Sequence, residues 1–399
     1  MTDKQVTDRP NLPSLTGLRF FAAFTVVLDH FASKFPLFDP TKATSLFERA
    51  WCKILFDSGA EAVSLFYVLS GFVLVYTYLR ETDVKGSRWD FYVARFARIY
   101  PAYLVGFAIG AVPYFLWPYT QSIASPWAMA TVTLLLLQTW TLNDFQQWNP
   151  PGWSVSVEAF FYAVFPFLLG PVARVSSKGL LVLAVVFYLA TYSGGFVTML
   201  SPGLFDTAVN PIFRLPEFVI GMCAGMLFLR QTLHPVIARI PTFAIVLILW
   251  CAMTAVAGVG YGWRHNGLLS PIFALLIYRL AIDEGHTARL LSSSVIVVLG
   301  EASYALYIVH WPILQYLTHL LPLDTAAITF APYVITAVAT SVIVFFLIEK
   351  PARRWLRGTL KLERISRHVE LVVGAPLRFL HKDRLRCNDR NIGEGHRPL

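Results

Sequence analysis

The sequence predicts an all-α fold, a polytopic integral membrane helical bundle of about ten transmembrane helices plus one re-entrant segment. Two observations predict it. First, the 399 residues are 56% hydrophobic and only 14% charged, with a mean hydropathy of +0.56, so a single soluble globule has too little polar surface. Second, the apolar runs are about 16 to 25 residues long and do not alternate, which favours membrane helices over barrel strands.

The order of the elements follows from these apolar runs. One segment, 126–140, is short and flanked by prolines, and it is interpreted as re-entrant or interfacial because a crossing there would move every later basic loop to the other side. The first span lacks the features of a cleavable signal and is expected to be retained. The ten predicted spans are roughly 15–34, 60–79, 98–117, 156–173, 179–195, 212–229, 240–258, 267–282, 295–319 and 328–349.

Charge sets the predicted orientation. The net charge is +9, and the basic residues cluster in alternate loops and in the C-terminal segment, as the positive-inside rule expects of a chain with both termini cytoplasmic. The prediction is one membrane domain, 1–352, followed by a basic cytoplasmic tail, 353–399, lying against anionic membrane lipids. No basic stripe with interleaved aromatics indicates nucleic acid. The four cysteines have no metal-ligand or pairing pattern, so no metal is predicted.

Ionisable side chains inside the predicted spans are the candidates for function, since a charge at bilayer depth is costly without a partner or a role. In the first span Arg19 and His30 are eleven residues apart, on one helix face within about 20° and about 16 Å apart along the axis. Asp29 points about 100° away. Alone, His30 could be a structural hydrogen-bonded residue and Arg19 could snorkel to the interface. Their shared face favours function.

A second cluster begins the fourth span. After a Pro-Pro-Gly turn, Trp153 starts a helix in which Ser154 and Glu158 are four residues apart and share a face. An acid near a helix N-terminus is also favoured by the helix dipole, which is the structural alternative. Catalysis or substrate binding is weighted slightly above it, because Glu158 is followed by a long apolar stretch.

Two further clusters lie in the sixth and ninth spans. Arg214 and Glu217 are i,i+3 neighbours, for which an internal ion pair is the simpler interpretation, although such a pair can also line a polar cavity. In the ninth span, Ser303, Tyr307 and His310 form a polar stripe on an otherwise apolar helix.

Arg95 and Arg98 are i,i+3 neighbours on the cytoplasmic side, at the start of the third span. Their default role is to enforce topology. Two guanidinium groups on one face can also grip phosphates, which admits an anionic cosubstrate.

Taken together, five segments in order resemble the membrane acyltransferase-3 family, bacterial-type enzymes that O-acetylate or otherwise acylate sugars, polysaccharides and small molecules. One departure is Asp29, where an apolar or aromatic residue is expected. No hydrolase-like domain follows the last span, so the membrane domain is expected to complete the reaction itself. The matching segments, within about 10–352, are 15–30 with its Arg-x10-His pattern, 66–72, 95–101, 153–158 and 303–312.

The resemblance implies acetyl-CoA as acyl donor, entering from the cytoplasm of a bacterial inner membrane, and a hydroxyl acceptor on a glycan, lipid-linked sugar or small molecule. Arg19, Arg95 and Arg98 are then expected to bind the donor at the cytoplasmic mouth. His30 would act as general base, with Glu158 orienting it or holding the sugar. A covalent acyl-histidine relay is left open. The acceptor or structural polar cluster comprises Trp153, Ser154, Arg214, Glu217, Tyr307 and His310.

Two other classes compete with an enzyme. A transporter or flippase would also keep charges near the membrane midplane, but no inverted repeat or matched pair of broken helices is visible in the sequence. A scaffold with purely structural charges predicts that replacing His30 and Glu158 changes stability only.

Overall fold

The computed structural model describes residues 9–35, 56–81, 83–84, 87–116, 125–141, 148–200, 206–256, 267–320, 326–356 and 358. Nearly all of the predicted basic tail, and most of the loop after the first span, lie outside the described residues. Within them the regular secondary structure is helical apart from a short hairpin, in which Leu79–Arg80 pairs antiparallel with Asp83–Val84.

Twelve helices make up most of the described chain and are numbered in chain order. Short helical turns at Pro150–Gly152, His234–Ile237 and His286–Leu291 connect some of them. The numbered helices are α1 Pro13–Lys34, α2 Gly59–Tyr78, α3 Arg88–Leu116, α4 Pro126–Leu134, α5 Trp153–Arg174, α6 Ser177–Leu200, α7 Pro211–Leu229, α8 Thr242–Ala255, α9 Ser270–Ile282, α10 Ser294–Glu301, α11 Ser303–Leu320 and α12 Ala326–Val344.

The number of membrane spans is smaller than predicted. Among the described residues, seven helices are long and apolar enough to cross a membrane, namely α1, α2, α3, α5, α6, α7 and α12 with its continuation. The bent pair α10 and α11 raises the count to eight. The predicted spans 240–258 and 267–282 are the shorter helices α8 and α9, of 14 and 13 residues. About 20 residues are needed for a crossing, so the prediction of about ten spans is not confirmed.

The predicted ninth span, 295–319, is two helices that meet at an angle of 63° rather than one. The break follows Gly300, which packs directly on the backbone of α1: a Cβ atom at Gly300 would lie 2.0 Å from the Thr16 carbonyl oxygen. The close approach holds α10 against α1, and α11 then takes its own direction along α1 and α3.

Another close helix crossing joins α2 and α7. A Cβ atom at Gly71 would lie 2.1 Å from the Phe218 carbonyl oxygen, and one at Gly221 would lie 2.0 Å from that of Val68. Small residues at a helix interface let the two backbones approach in this way. The crossing fixes α2 between α7 and the helices that carry the candidate site.

The segment 126–140 begins as the nine-residue helix α4, about 13 Å long, and is not a candidate span. It then turns through Leu136, whose φ is 57°. The turn is fixed to the start of α5: Gln138 Nε2 donates to the Gly152 carbonyl oxygen at 2.8 Å, and the Thr139 and Ser156 hydroxyls are 2.7 Å apart. Its position as re-entrant or interfacial stays a prediction.

Candidate active site

A partly open cavity of about 830 Å³ lies between α1, α2, α3, α5 and α11. It brings together residues from all five segments that the sequence analysis singled out, and the first segment contributes Arg19. Most of the apolar lining side chains belong to α2, and the charged ones belong to α1, α3 and α5. The lining residues are Arg19, Val63, Phe66, Tyr67, Leu69, Ser70, Val73, Leu74, Arg95, Arg98, Ile99, Ser154, Val155, Glu158, Tyr162, Ser303, Tyr304 and Tyr307.

Three arginines and a glutamate share this cavity. Arg19, Arg95 and Arg98 all line it, and Glu158 lies close enough to Arg19 for electrostatic attraction. Glu158 accepts a hydrogen bond from the Tyr162 hydroxyl one turn further along α5. No hydrogen bond within the described part of the chain uses the Arg19 guanidinium, so its donors remain for a ligand.

Arg98 is held by a carboxylate that the sequence analysis did not select. Its guanidinium forms an ion pair with Glu349, which is completely buried and also pairs with Arg353. Glu349 ends the π-helical segment Phe345–Glu349 that continues α12, a type of distortion often found at functional sites. Arg95 donates to the Tyr78 hydroxyl at 2.8 Å and lies 5.0 Å above its ring. Both guanidinium groups are therefore fixed in the cavity wall.

The second half of the site is a pair of histidines from α1 and α11. His30 Nδ1 and His310 Nε2 are 2.8 Å apart, and the two rings stack with centroids 5.1 Å apart. His310 is completely buried, and its Nδ1 lies 3.2 Å from the Leu306 carbonyl oxygen. Trp311 covers the His30 ring edge-to-face at 5.2 Å.

These contacts determine which nitrogen carries each proton. The Leu306 carbonyl oxygen only accepts hydrogen bonds, so His310 Nδ1 is the donor, and Nε2 of a neutral His310 is an acceptor. His30 Nδ1 therefore donates to His310 Nε2. The remaining nitrogen, His30 Nε2, keeps its lone pair, which is the form that a general base requires.

Tyr307 connects the histidine pair to the cavity. Its ring lies 5.9 Å from that of His310, edge-to-face, and its hydroxyl accepts a hydrogen bond from Ser154 Oγ at 2.8 Å. Since Tyr307 and Ser154 both line the cavity, the two halves of the site share a wall. The predicted polar stripe of the ninth span is therefore an element of this site, on α11.

Of the two roles expected of Glu158, orienting His30 or holding the sugar, the first is not seen in the hydrogen bonds. The hydrogen-bond partner of His30 is His310, and that of Glu158 is Tyr162, so Glu158 groups with the arginines instead of with the two histidines. Asp29 is occupied elsewhere: its carboxylate accepts from the Gly59 backbone N–H at 3.1 Å, at the N-terminus of α2.

Arg214 and Glu217 do not line the cavity. They form an internal ion pair, which was the simpler of the two interpretations. The pair is fully buried with a distance of 3.0 Å, and Arg214 also donates to Ser64 Oγ at 3.1 Å. Arg214 stacks on the outer face of Tyr67, whose ring faces the cavity. Trp153 is half-buried at the start of α5 and is likewise not among the lining residues.

The sequence analysis missed five polar residues of this site. Tyr162 was detectable, because it is four residues from Glu158 and shares its helix face. Tyr67, Ser70 and Tyr304 lie in matched segments without a spacing signal, and Glu349 is 251 residues away from Arg98. Tyr304 Oη is buried without a hydrogen-bond partner in the described part of the chain, so it is available to a ligand. No cluster of three metal-ligating side chains occurs within the residues searched, which are the described ones.

The fold and the site together define a membrane-type helical bundle with a histidine pair and a cavity lined by three arginines. The family model described as "Acyltransferase domain" matches residues 12–350, and the chain therefore belongs to this family, acyltransferase-3.

Three relatives illustrate the family. The chain is 33% identical to "Acyltransferase MdmB" of Streptomyces mycarofaciens, over 76% of this chain and 79% of the relative. It is 22% identical to "Peptidoglycan O-acetyltransferase OatA" of Listeria monocytogenes, over 87% of this chain and 56% of the relative. It is 26% identical to "Exopolysaccharide production protein ExoZ" of Rhizobium meliloti, over 64% and 76%. No solved structure gives a significant match.

Proposed function

We propose that this family member is a membrane-bound O-acyltransferase that moves an acyl group, namely acetyl, from acetyl-CoA to a hydroxyl of a sugar, polysaccharide or small molecule. The observation that carries the proposal is the His30–His310 pair, because it leaves a nitrogen with a free lone pair on His30, and Tyr307 connects the pair to the cavity that three arginines line. The names of two relatives refer to peptidoglycan and exopolysaccharide, which supports a glycan acceptor.

The charge of the cavity suits the phosphates of the donor. Arg19, Arg95 and Arg98 contribute three positive charges, whereas Glu158 and Glu349 contribute two negative ones, so the walls keep a net positive charge. Arginine forks bind phosphate oxygens bidentately. Arg19 is the foremost candidate since its donors are not used within the described chain.

His30 performs the proton transfer in this mechanism. Its Nε2 takes the proton of the acceptor hydroxyl while the hydroxyl oxygen attacks the thioester carbonyl carbon. The carbon–sulfur bond then breaks, and the thiolate of CoA leaves with the proton returned by His30. His310 accepts from His30 Nδ1 throughout, which stabilises the transient imidazolium and prevents ring rotation.

The other polar side chains of the cavity bind the substrates. Glu158 accepts a hydrogen bond from an acceptor hydroxyl and balances the arginines, and Ser154, Tyr304 and Tyr307 offer further hydroxyl groups. In the alternative relay, the acyl group resides transiently on His30 before the acceptor takes it. The distribution of basic loops supports a bacterial inner-membrane protein with the donor side and both termini facing the cytoplasm.

Purified protein in lipid vesicles with radiolabelled acetyl-CoA tests the proposal. An enzyme releases free CoA thiol and transfers the label to added glycan, whereas a transporter accumulates intact labelled donor without releasing thiol. His30→Ala should abolish thiol release, and His286→Ala, which changes an exposed histidine outside the site, should leave it intact. Intact donor accumulating with no thiol release would refute the proposal and favour a carrier.

A further inference from the structure

A second cavity lies away from the active site, on the other side of α7. It is an apolar groove of about 1000 Å³ between α6, α7 and α9. Three alanines, Ala184, Ala224 and Ala274, face it from the three helices, and their small side chains leave the space. Since α2 packs on the opposite face of α7, the groove is separate from the candidate active site.

The groove is closed at one end and has a polar boundary at the other. At the closed end, the Tyr188 hydroxyl donates to the Leu268 carbonyl oxygen at 3.2 Å and so bridges α6 to the start of α9. At the opposite end, the hydroxyl of Tyr278 lies 2.8 Å from His234 Nδ1. Between Leu181 and Tyr188 the groove follows about 10 Å of α6.

Positive charge is concentrated at this polar end. The stretches 171–182 and 227–241 contain Arg174, Lys178, Arg230 and Arg239, and no carboxylate. All four are exposed. Arg230 is occupied by the carbonyl oxygens of residues 173 and 175, whereas Lys178 is three residues before a lining leucine and on the same face of α6.

We propose that this groove binds one anionic phospholipid, with an acyl chain between the alanines and the phosphate beside Lys178 and Arg239. The lipid class follows from two observations. Both α6 and α7 are candidate membrane spans, so bilayer acyl chains surround the groove. The four exposed basic residues complement an anionic headgroup better than a zwitterionic one, because the Asp283 carboxylate at this end, which accepts from Thr242, is already paired with Arg279.

The test uses full-length protein purified in detergent and incubated with radiolabelled phosphatidylglycerol. Retention of label through gel filtration is measured, with phosphatidylcholine and inorganic phosphate as comparison ligands. The wild type should retain about one phosphatidylglycerol per chain and neither of the others. Lys178→Gln combined with Arg239→Gln should weaken retention about 25-fold, from roughly fivefold for each cation. Arg289→Gln, at an exposed site elsewhere, is the charge control.

A second variant tests the groove itself. Ala224→Phe should fill it and abolish retention, while Val182→Phe, on the exposed face of α6 outside the groove, should retain the lipid. Thermal unfolding in detergent checks that each variant is folded, and Ala184→Phe replaces Ala224→Phe if the latter does not fold. Equal retention of phosphatidylcholine, or full retention in the folded groove-filling variant, would overturn the proposal. Retention of inorganic phosphate alone would show an anion site without a lipid site and would also overturn it.

Discussion

His310 is expected to act as a positioning residue, and His310→Phe tests this directly. Phenylalanine keeps an aromatic ring of similar size but offers no acceptor to His30 Nδ1, which lies 2.8 Å from His310 Nε2 in the wild type. A half-buried N–H without a partner costs about 1 to 3 kcal/mol, and the tautomer that exposes the base is no longer favoured. At 1.36 kcal/mol per tenfold change in rate, kcat should fall about 5- to 150-fold.

The assay is steady-state release of CoA thiol by reconstituted protein, with kcat and KM for the donor measured separately. KM should stay within about twofold, because His310 does not line the cavity. His310→Gln is the matched variant: its side-chain carbonyl can accept from His30, so it should recover part of kcat. An unchanged kcat in His310→Phe, or an equal loss in both variants, would refute the assigned tautomer.

Three further outcomes are expected. Arg19→Lys should raise the donor KM about tenfold with little change in kcat, because a point charge replaces a bidentate fork; steady-state kinetics at several donor concentrations measures this, and an unchanged KM would contradict it. Glu349→Ala should destabilise the protein by about 3 kcal/mol, because the partner Arg98 loses its buried counter-ion, and thermal unfolding in detergent would detect it; an unchanged midpoint would contradict it. Asp283 lies just beyond the end of α9. Burial raises the pKa of its carboxyl group, but the hydrogen bond from the Gly285 N–H and the charge of Arg279 outweigh burial and hold the pKa below the usual 3.8. Asp283 therefore stabilises the fold above pH 3.8 and less as the pH falls below it, so the difference in unfolding midpoint between wild type and Asp283→Asn should shrink there, and a constant difference would contradict this.

Local patterns in the sequence predicted much of the site. Spacing of four residues placed Ser154 and Glu158 on one face, and both line the cavity. The predicted shared face of Arg19 and His30 also points to the site: Arg19 lines the cavity, and His30 contacts His310. These inferences succeeded because they needed only helix geometry.

Long-range partners were not predictable in the same way. His30 and His310 are 280 residues apart, and no spacing rule links them. Glu158 does not orient His30, which was one of the two roles expected of it, because the carboxylate bonds instead to Tyr162 one turn along the same helix. The bend after Gly300 also depends on tertiary packing, since it arises where the chain meets α1.

The measurement that tests the central claim most directly compares acyl transfer by wild-type protein and His30→Gln, which removes the base and keeps a polar side chain. Thiol release and transfer of labelled acetyl to a glycan acceptor are followed in the same vesicles. The loss of general-base catalysis should lower kcat at least about 100-fold, with donor KM and the unfolding midpoint near wild type. Full acyl transfer by folded His30→Gln would contradict both direct transfer and the acyl-histidine relay.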